Sequence, residues 1–135
     1  MDLLKKGKEL LSDDEVETLY LCAYSHYNSG HWTEAADIFR LLCTRRPLDP
    51  RFWFGLGAAL QEGSSYFDAL HAWAMAALLK KEDPYPHFHA AECYFSLGES
   101  GDAAKALNEA SLKIETTHPL AGKISLLKEQ WRVTA

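Results

Sequence analysis

The side chains that could do chemistry are concentrated in one short stretch, where His87 and His89 lie close to Glu92 and Cys93. Imidazole, carboxylate and thiolate groups are common ligands of Zn²⁺, and a histidine beside a carboxylate can act as an acid–base pair. On a helix, however, residues i and i+2 project in different directions, so the two histidines would not share a metal. The sequence also lacks a nucleotide-binding loop and a nucleophile elbow. We therefore predict no catalytic residue, no metal site and no cofactor; a metal-dependent thermal shift would revive the enzyme alternative.

A second set of side chains has the pattern of a binding surface. Tyr20, Tyr24 and Tyr27 follow i, i+4, i+7 spacing, which places them on one face of a helix. That face is rotated by about 100° from a stripe with the spacing of core packing, namely Leu19, Cys22, Ala23 and His26. Three buried tyrosines would each need a partner for the hydroxyl, whereas a groove wall leaves the hydroxyl in water and offers the ring to a ligand. We favour the groove wall; the alternative is that these rings only complete the core.

The elements that must position these tyrosines repeat along the chain. Ala35, Ala69 and Ala103 are 34 residues apart, and the large and small residues around them recur with the same period. A period of this length is typical of tetratricopeptide units, in which pairs of helices stack into a solenoid with a curved binding surface. The predicted fold is all-α: a right-handed superhelical solenoid of three tetratricopeptide helix hairpins plus a C-terminal capping helix.

The repeat holds at several independent positions. Small residues are expected where the two helices of a hairpin cross closely, and large ones where the next hairpin fills the gap. The small column is Ala23, Gly57 and Ala91, and the bulky column is Phe39, Trp73 and Leu107. Gly30 and Gly98 mark the turns of the first and third hairpins, while Ser64 takes that place in the second. There we expect the neighbouring Gly63 to supply the positive φ.

Helix start signals divide the chain. Asp49-Pro50 and Asp83-Pro84 each combine an N-cap acceptor with a proline, and Ser12 with Glu15 predicts a capping box. A last apolar-periodic segment follows Thr117-His118-Pro119 and predicts the capping helix. The chain is predicted to form one domain, 1–135, made of a short N-terminal segment 1–12, repeat 1 at 13–46, repeat 2 at 49–80, repeat 3 at 83–115 and the capping helix at 119–132.

The repeat register extends the tyrosine stripe into the other hairpins. The first helices of stacked hairpins line the concave side of such a solenoid, so equivalent residues should share one groove. We call the predicted peptide-binding residues the groove stripe: Tyr20, Tyr24, Tyr27, Arg51, Phe54, Ala58, Tyr85, Phe88, Glu92 and Phe95. Large, stiff aromatic rings in such a position are typical of binding hot spots.

Composition narrows the class of partner and the compartment. A net charge of −5 and a pI near 5.6 argue against a nucleic-acid surface, which would need a clustered basic face. No apolar run approaches the roughly 20 residues that span a bilayer, and the first residues lack the core of a signal peptide. We expect a cytosolic protein without stable membrane association. Cys22, Cys43 and Cys93 lack metal-like spacing, so we predict buried, reduced thiols.

Three segments carry a more specific resemblance, residues 19–30 (LYLCAYSHYNSG), 51–58 (RFWFGLGA) and 86–93 (PHFHAAEC). Across nearly its whole length, the chain resembles the class II chaperones of bacterial type III secretion systems. The resemblance implies a bacterial cytosolic chaperone that holds hydrophobic translocator proteins before export and prevents their aggregation or premature membrane insertion. It also implies that an extended Pro-x-Leu-x-x-Pro-like segment of the translocator binds in the concave groove. Tyr20, Tyr24 and Tyr27 match the family's groove positions, and Phe54 and Phe88 extend them.

Two alternatives stay open at the level of sequence. Another tetratricopeptide adaptor could bind a different peptide, such as the acidic C-terminus of a heat-shock chaperone, but that groove would need Lys, Arg and Asn side chains. A homodimer is the second open point, because family members usually dimerise through a longer N-terminal region than the roughly 12 residues that precede the first repeat helix here.

Overall fold

A computed structural model describes residues 10–134 as an all-α protein. Within that range the chain forms seven helices and no strand: α1 (Asp13–Asn28), α2 (Trp32–Arg45), α3 (Pro50–Glu62), α4 (Tyr66–Leu79), α5 (Tyr85–Ser96), α6 (Ser100–Ser111) and α7 (Pro119–Thr134). Consecutive helices pack as hairpins α1–α2, α3–α4 and α5–α6, followed by α7. The predicted helical solenoid is thereby confirmed. Of the predicted segment 1–12, residues 1–9 lie outside the described part of the chain.

Local signals explain where several helices begin. Ser12 and Glu15 form the predicted capping box, in which each side chain accepts from the other residue's backbone N–H. Asp49 caps α3 by accepting from the Arg51 backbone N–H at 3.0 Å, with Pro50 at the first helical position. Asp83 accepts from the Tyr85 backbone N–H at 2.9 Å, although α5 begins one residue later than the proline signal indicates.

The repeat columns form the core. Ala35, Ala69 and Ala103 are fully buried, and the bulky column Phe39, Trp73 and Leu107 is at most 1 % exposed. The first two hairpins share one core cluster. Phe88 and Leu107 of the third hairpin form another cluster with Leu120 and Ile124 of α7, so α7 covers the apolar end of the array.

The turn of the second hairpin differs from the expectation. Gly63 has φ −79° and ends α3, whereas Ser64 itself adopts φ 64° in the left-handed region. The turn geometry therefore follows the repeat position, which Gly30 and Gly98 occupy at φ 77° and 80° in the other hairpins. The expectation that Gly63 supplies the positive φ was wrong.

The three cysteines are free thiols, but they do not share one environment. Cys43 and Cys93 are buried as predicted, and burial raises the pKa of each thiol to about 12. Cys22 is exposed on α1, so the expectation of a buried thiol was wrong there. Its equivalent in the second repeat, Leu56, is 5 % exposed because the first hairpin packs on it. No described hairpin precedes α1 to cover Cys22 in the same way.

Candidate peptide-binding groove

The tyrosines of α1 form a continuous ladder of edge-to-face contacts. The ring centroids of Tyr20 and Tyr24 are 5.0 Å apart, and those of Tyr24 and Tyr27 are 6.3 Å apart. Tyr20 and Tyr24 both rest on the buried ring of Phe39 in α2. The ladder is thus held by the core on one side, while Tyr24 remains 37 % exposed on the other.

The tyrosine hydroxyls of the ladder are not stranded in the core. Burial raises the pKa of Tyr20 and of Tyr27 above the usual range for a phenol. Among the described residues, the buried side-chain N or O atom that lacks a hydrogen-bond partner is Nε of Arg45, not a tyrosine oxygen. Partly buried rings with accessible hydroxyls are the arrangement that a groove wall requires.

A cavity of about 180 Å³ opens beside this ladder. Its lining brings together four members of the groove stripe, Tyr20, Tyr24, Arg51 and Phe54, with contributions from the start of α5 and the preceding loop. The complete lining is Tyr20, Tyr24, Pro50, Arg51, Phe54, Ala76, Lys80, Asp83 and Pro86. The cavity is large enough for an aliphatic side chain rather than for a whole peptide segment.

Arg51 is held in place by residues of two repeats. Its Nη2 lies 2.8 Å from Oδ2 of Asp49 and donates at 3.1 Å to Oε1 of Glu17, the equivalent residue of the first repeat. The guanidinium carbon lies 4.8 Å from the centroid of the Tyr20 ring. Hydrogen bonds from Arg51 lower the pKa of Asp49, although burial opposes the shift. Because Arg51 and Glu17 are about half exposed, this pair adds little stability. It holds the guanidinium of Arg51 over the Tyr20 ring.

The third hairpin adds a polar network to the groove. Trp73 Nε1 donates to Gln61 Oε1 at 2.9 Å, and Gln61 Nε2 donates to Glu92 Oε1 at 3.0 Å. Nδ1 of His89 lies 2.7 Å from the same Glu92 oxygen. Burial acts to raise the pKa of the Glu92 carboxyl, but these two hydrogen bonds and the charges of His89 and Lys123 outweigh burial and lower the pKa overall.

Sequence reasoning missed His89, which lay off both helical stripes. In the structure its ring stacks on Trp73 with centroids 4.8 Å apart and an angle of 28°, and it also contacts Phe54. The repeat register could have indicated that the position of His89 lies against a neighbouring hairpin. The equivalent position of the second repeat is Gly55, where an added Cβ would collide with Phe39, the equivalent of Trp73. Gly55 and His89, at this position of the repeat, thus face Phe39 and Trp73, the bulky residues of the preceding hairpins.

The remaining members of the groove stripe differ in how much surface they offer. Tyr27, Ala58 and Tyr85 are partly buried. Phe88 is 5 % exposed within the core cluster of α7, so the expectation of an accessible ring does not hold for it. Phe95 stacks on Trp131 of α7 with centroids 4.7 Å apart and an angle of 8°. The capping helix therefore covers part of the stripe, which a period of 34 residues could not reveal.

A larger cavity of about 670 Å³ lies between α4, α5 and α6. None of its lining residues belongs to the groove stripe, and its rim carries Lys81, Lys105, Lys113, Asp102 and Glu109. Size alone would favour this cavity. The smaller one is the better candidate for binding an apolar side chain, because four residues of the groove stripe, three of them aromatic, converge on it.

Within residues 10–134 no group of three or more His, Cys, Asp or Glu side chains is arranged to hold a metal ion. Between residues 10 and 134, no helix combines the length and apolar character that a membrane crossing requires.

The sequence of this chain is similar to those of known proteins. The tetratricopeptide repeat model matches residues 16–47 and 50–83. The low calcium response locus protein H of Yersinia pestis is 37 % identical over 97 residues, which cover 72 % of this chain. The chain spans 58 % of the length of that relative.

Solved structures cover more of the chain. The type III secretion chaperone SycD of Yersinia enterocolitica, solved with a peptide of the translocator YopD, is 32 % identical with a TM-score of 0.85; the match covers 91 % of this chain and 96 % of that one. PcrH of Pseudomonas aeruginosa, solved with the chaperone-binding region of PopD, is 31 % identical with a TM-score of 0.84 and coverage of 92 % and 96 %.

Proposed function

The chain belongs to the tetratricopeptide family of type III secretion translocator chaperones, and from this membership we propose that it holds an extended segment of a hydrophobic translocator protein in its concave groove before export. The observation that carries the proposal is the tyrosine ladder of α1, which flanks a cavity shared with Arg51 and Phe54 of α3. The relatives SycD and PcrH were solved with translocator segments, which supports the same class of client here.

The mechanism is protection by occupancy. A protein destined for a host membrane carries apolar segments that self-associate in water, and a chaperone that covers one of them keeps the client soluble. Each leucine-sized side chain buried in a pocket contributes about 2 kcal/mol. The cost of ordering an extended segment offsets part of this gain, so the affinity is moderate and the client can be released to the secretion machinery.

The same proposal includes the compartment in which the protein acts and the division of its chain into repeats. The protein acts in the bacterial cytosol, where the client is made, and it needs neither a cofactor nor a catalytic residue because binding alone is its activity. Repeats 13–46, 49–80 and 83–115 and the capping helix 119–132 act as one domain, since the groove stripe runs across all three repeats.

Co-expression tests the proposal. Translocator candidates encoded by the same secretion system are produced with and without the chaperone, and the soluble fraction and co-purification are measured. We expect at least one candidate to become soluble and to co-purify. The double variant Tyr24→Ala, Phe54→Ala should lose both effects, while Leu126→Ala, at a side chain 56 % exposed on α7, should retain them. Failure of every candidate with the wild-type chaperone would contradict the proposed function.

A further inference from the structure

Two hydrogen bonds converge on a single oxygen of Glu92. Gln61 Nε2 and His89 Nδ1 both contact Oε1, at 3.0 and 2.7 Å. Within residues 10–134 no hydrogen bond reaches the other oxygen, Oε2. An ionised carboxylate offers about four acceptor positions, so Glu92 has acceptor capacity left. Its side chain is 38 % exposed, which keeps that capacity within reach of a ligand.

The network fixes the orientation of this carboxylate. The indole Nε1–H of Trp73 can only donate, so it selects the oxygen of Gln61 and turns the amide nitrogen toward Glu92. The ring of His89 is held by stacking on Trp73. Because the Glu92 carboxylate can only accept, the proton of the His89 contact lies on Nδ1. Rotation of Glu92 would break both hydrogen bonds, and Oε2 is therefore a preorganised acceptor.

Three other acidic groups near the groove also accept hydrogen bonds within the chain. Glu17 and Asp49 accept from Arg51, and Asp83 accepts from the backbone of Tyr85. Phe54 and Ala58, which lie between Arg51 and Glu92 along the stripe, offer no side-chain acceptor. Glu92 is the carboxylate within the groove stripe itself, and two side chains hold it through one oxygen.

An extended segment lying across helices has no strand partner, and each of its backbone N–H groups needs an acceptor or water. A fixed, ionised oxygen is a strong acceptor for such a group, because charge-assisted hydrogen bonds are shorter and stronger than neutral ones. A lysine or arginine side chain of the client would present the same N–H chemistry.

We propose that Glu92, held by Gln61 and His89, is the polar anchor of the groove: Oε2 accepts a hydrogen bond from an N–H group of the bound segment and fixes the register in which its apolar side chains meet the aromatic rings. This inference rests on the proposed function, since it assigns a role within the same groove. Gln61 and His89 are positioning residues in this account, because they act through Glu92.

The variant Glu92→Gln gives a sharp test. Glutamine has one carbonyl oxygen, which Gln61 and His89 would occupy, so its NH₂ group would replace Oε2 and present a donor where an acceptor stood. The probe is a synthetic peptide with a Pro-x-Leu-x-x-Pro stretch, titrated by calorimetry. We expect Glu92→Gln to lower the affinity about tenfold, in line with a lost hydrogen bond to a charged group. The control Glu109→Gln removes a carboxylate from the larger cavity and should leave affinity unchanged.

A second experiment modifies the peptide and measures its affinity for the wild type and for Glu92→Gln. The same peptide is N-methylated at one position at a time, and a parallel series replaces each basic side chain with an apolar one. One modified peptide should bind the wild type about tenfold more weakly yet bind Glu92→Gln no worse than the unmodified peptide does. If this peptide belongs to the N-methylated series, Oε2 binds a backbone N–H group. If it belongs to the series with replaced basic side chains, Oε2 binds a side-chain N–H group. Equal affinity of wild type and Glu92→Gln, with the wild type binding the peptide, would overturn the anchor while leaving the proposed function intact; no binding by the wild type would overturn both.

Discussion

A Cβ atom added to Gly57 would lie 2.8 Å from Cδ2 of Trp73, closer than a Cβ and a ring carbon approach in folded proteins. Trp73 is 1 % exposed, and its indole is also held by Gln61 and His89. The glycine therefore allows α3 and α4 to cross at the point where the bulky column of the repeat fills the core.

Gly57→Ala should destabilise the protein by about 1–3 kcal/mol, because an indole held by Gln61 and His89 would have to shift to make room for the Cβ. This cost outweighs the gain of roughly 0.5–1 kcal/mol that alanine brings to a helix interior. Denaturant unfolding measures the difference. The matched control is Gly122→Ala on α7, where an added Cβ meets nothing within 4 Å and the propensity gain should appear alone. Equal stability of Gly57→Ala and the wild type would contradict this packing.

Ser64→Gly should stabilise the second hairpin. Ser64 holds φ 64°, a conformation that costs a residue with a Cβ about 1–2 kcal/mol and costs glycine almost nothing. The greater freedom of glycine in the unfolded chain reduces the net gain to about 0.5–1 kcal/mol. Urea unfolding should show a higher midpoint for Ser64→Gly and no such gain for Ser65→Gly, whose φ is −89°. A lower midpoint for Ser64→Gly would show that the left-handed conformation is not the source of strain.

Thiol labelling should distinguish the cysteines. With a pKa of about 12, the thiols of Cys43 and Cys93 are ionised in roughly one molecule in 10⁵ at pH 7, and both are buried. We expect an aromatic disulfide reagent to label one thiol per native chain rapidly, and Cys22→Ala to abolish that phase. Denaturation should release the other two. Rapid labelling of all three thiols in the native protein would contradict this core.

The 34-residue columns predicted the packing because the same helix crossings recur in each hairpin, as Ala35, Ala69 and Ala103 illustrate. What the period could not predict arises where the array ends. Cys22 is exposed because no described hairpin precedes α1, and Phe95 is covered because Trp131 stacks on it. The position of His89 depends on Trp73 of the neighbouring hairpin, so a helical stripe read from α5 alone could not place it.

Tyr24→Ala should weaken binding of a Pro-x-Leu-x-x-Pro peptide by about 2 kcal/mol, or roughly 30-fold, because it removes the most exposed ring of the ladder. Helicity should stay near wild type, since 37 % of that side chain already faces solvent. Leu21→Ala is the matched control on the same helix, at a side chain 68 % exposed and outside the groove stripe. Unchanged affinity for Tyr24→Ala would remove Tyr24 from the binding site.

If a translocator segment binds in the concave groove, amide chemical-shift mapping of the ¹⁵N-labelled protein with a peptide from that segment will locate it there. We expect the largest perturbations on Tyr20, Tyr24, Phe54 and Ala58, extending to Glu92. Perturbations confined to Ala74, Ala90 and Ala106, which line the larger cavity between α4, α5 and α6, would contradict it.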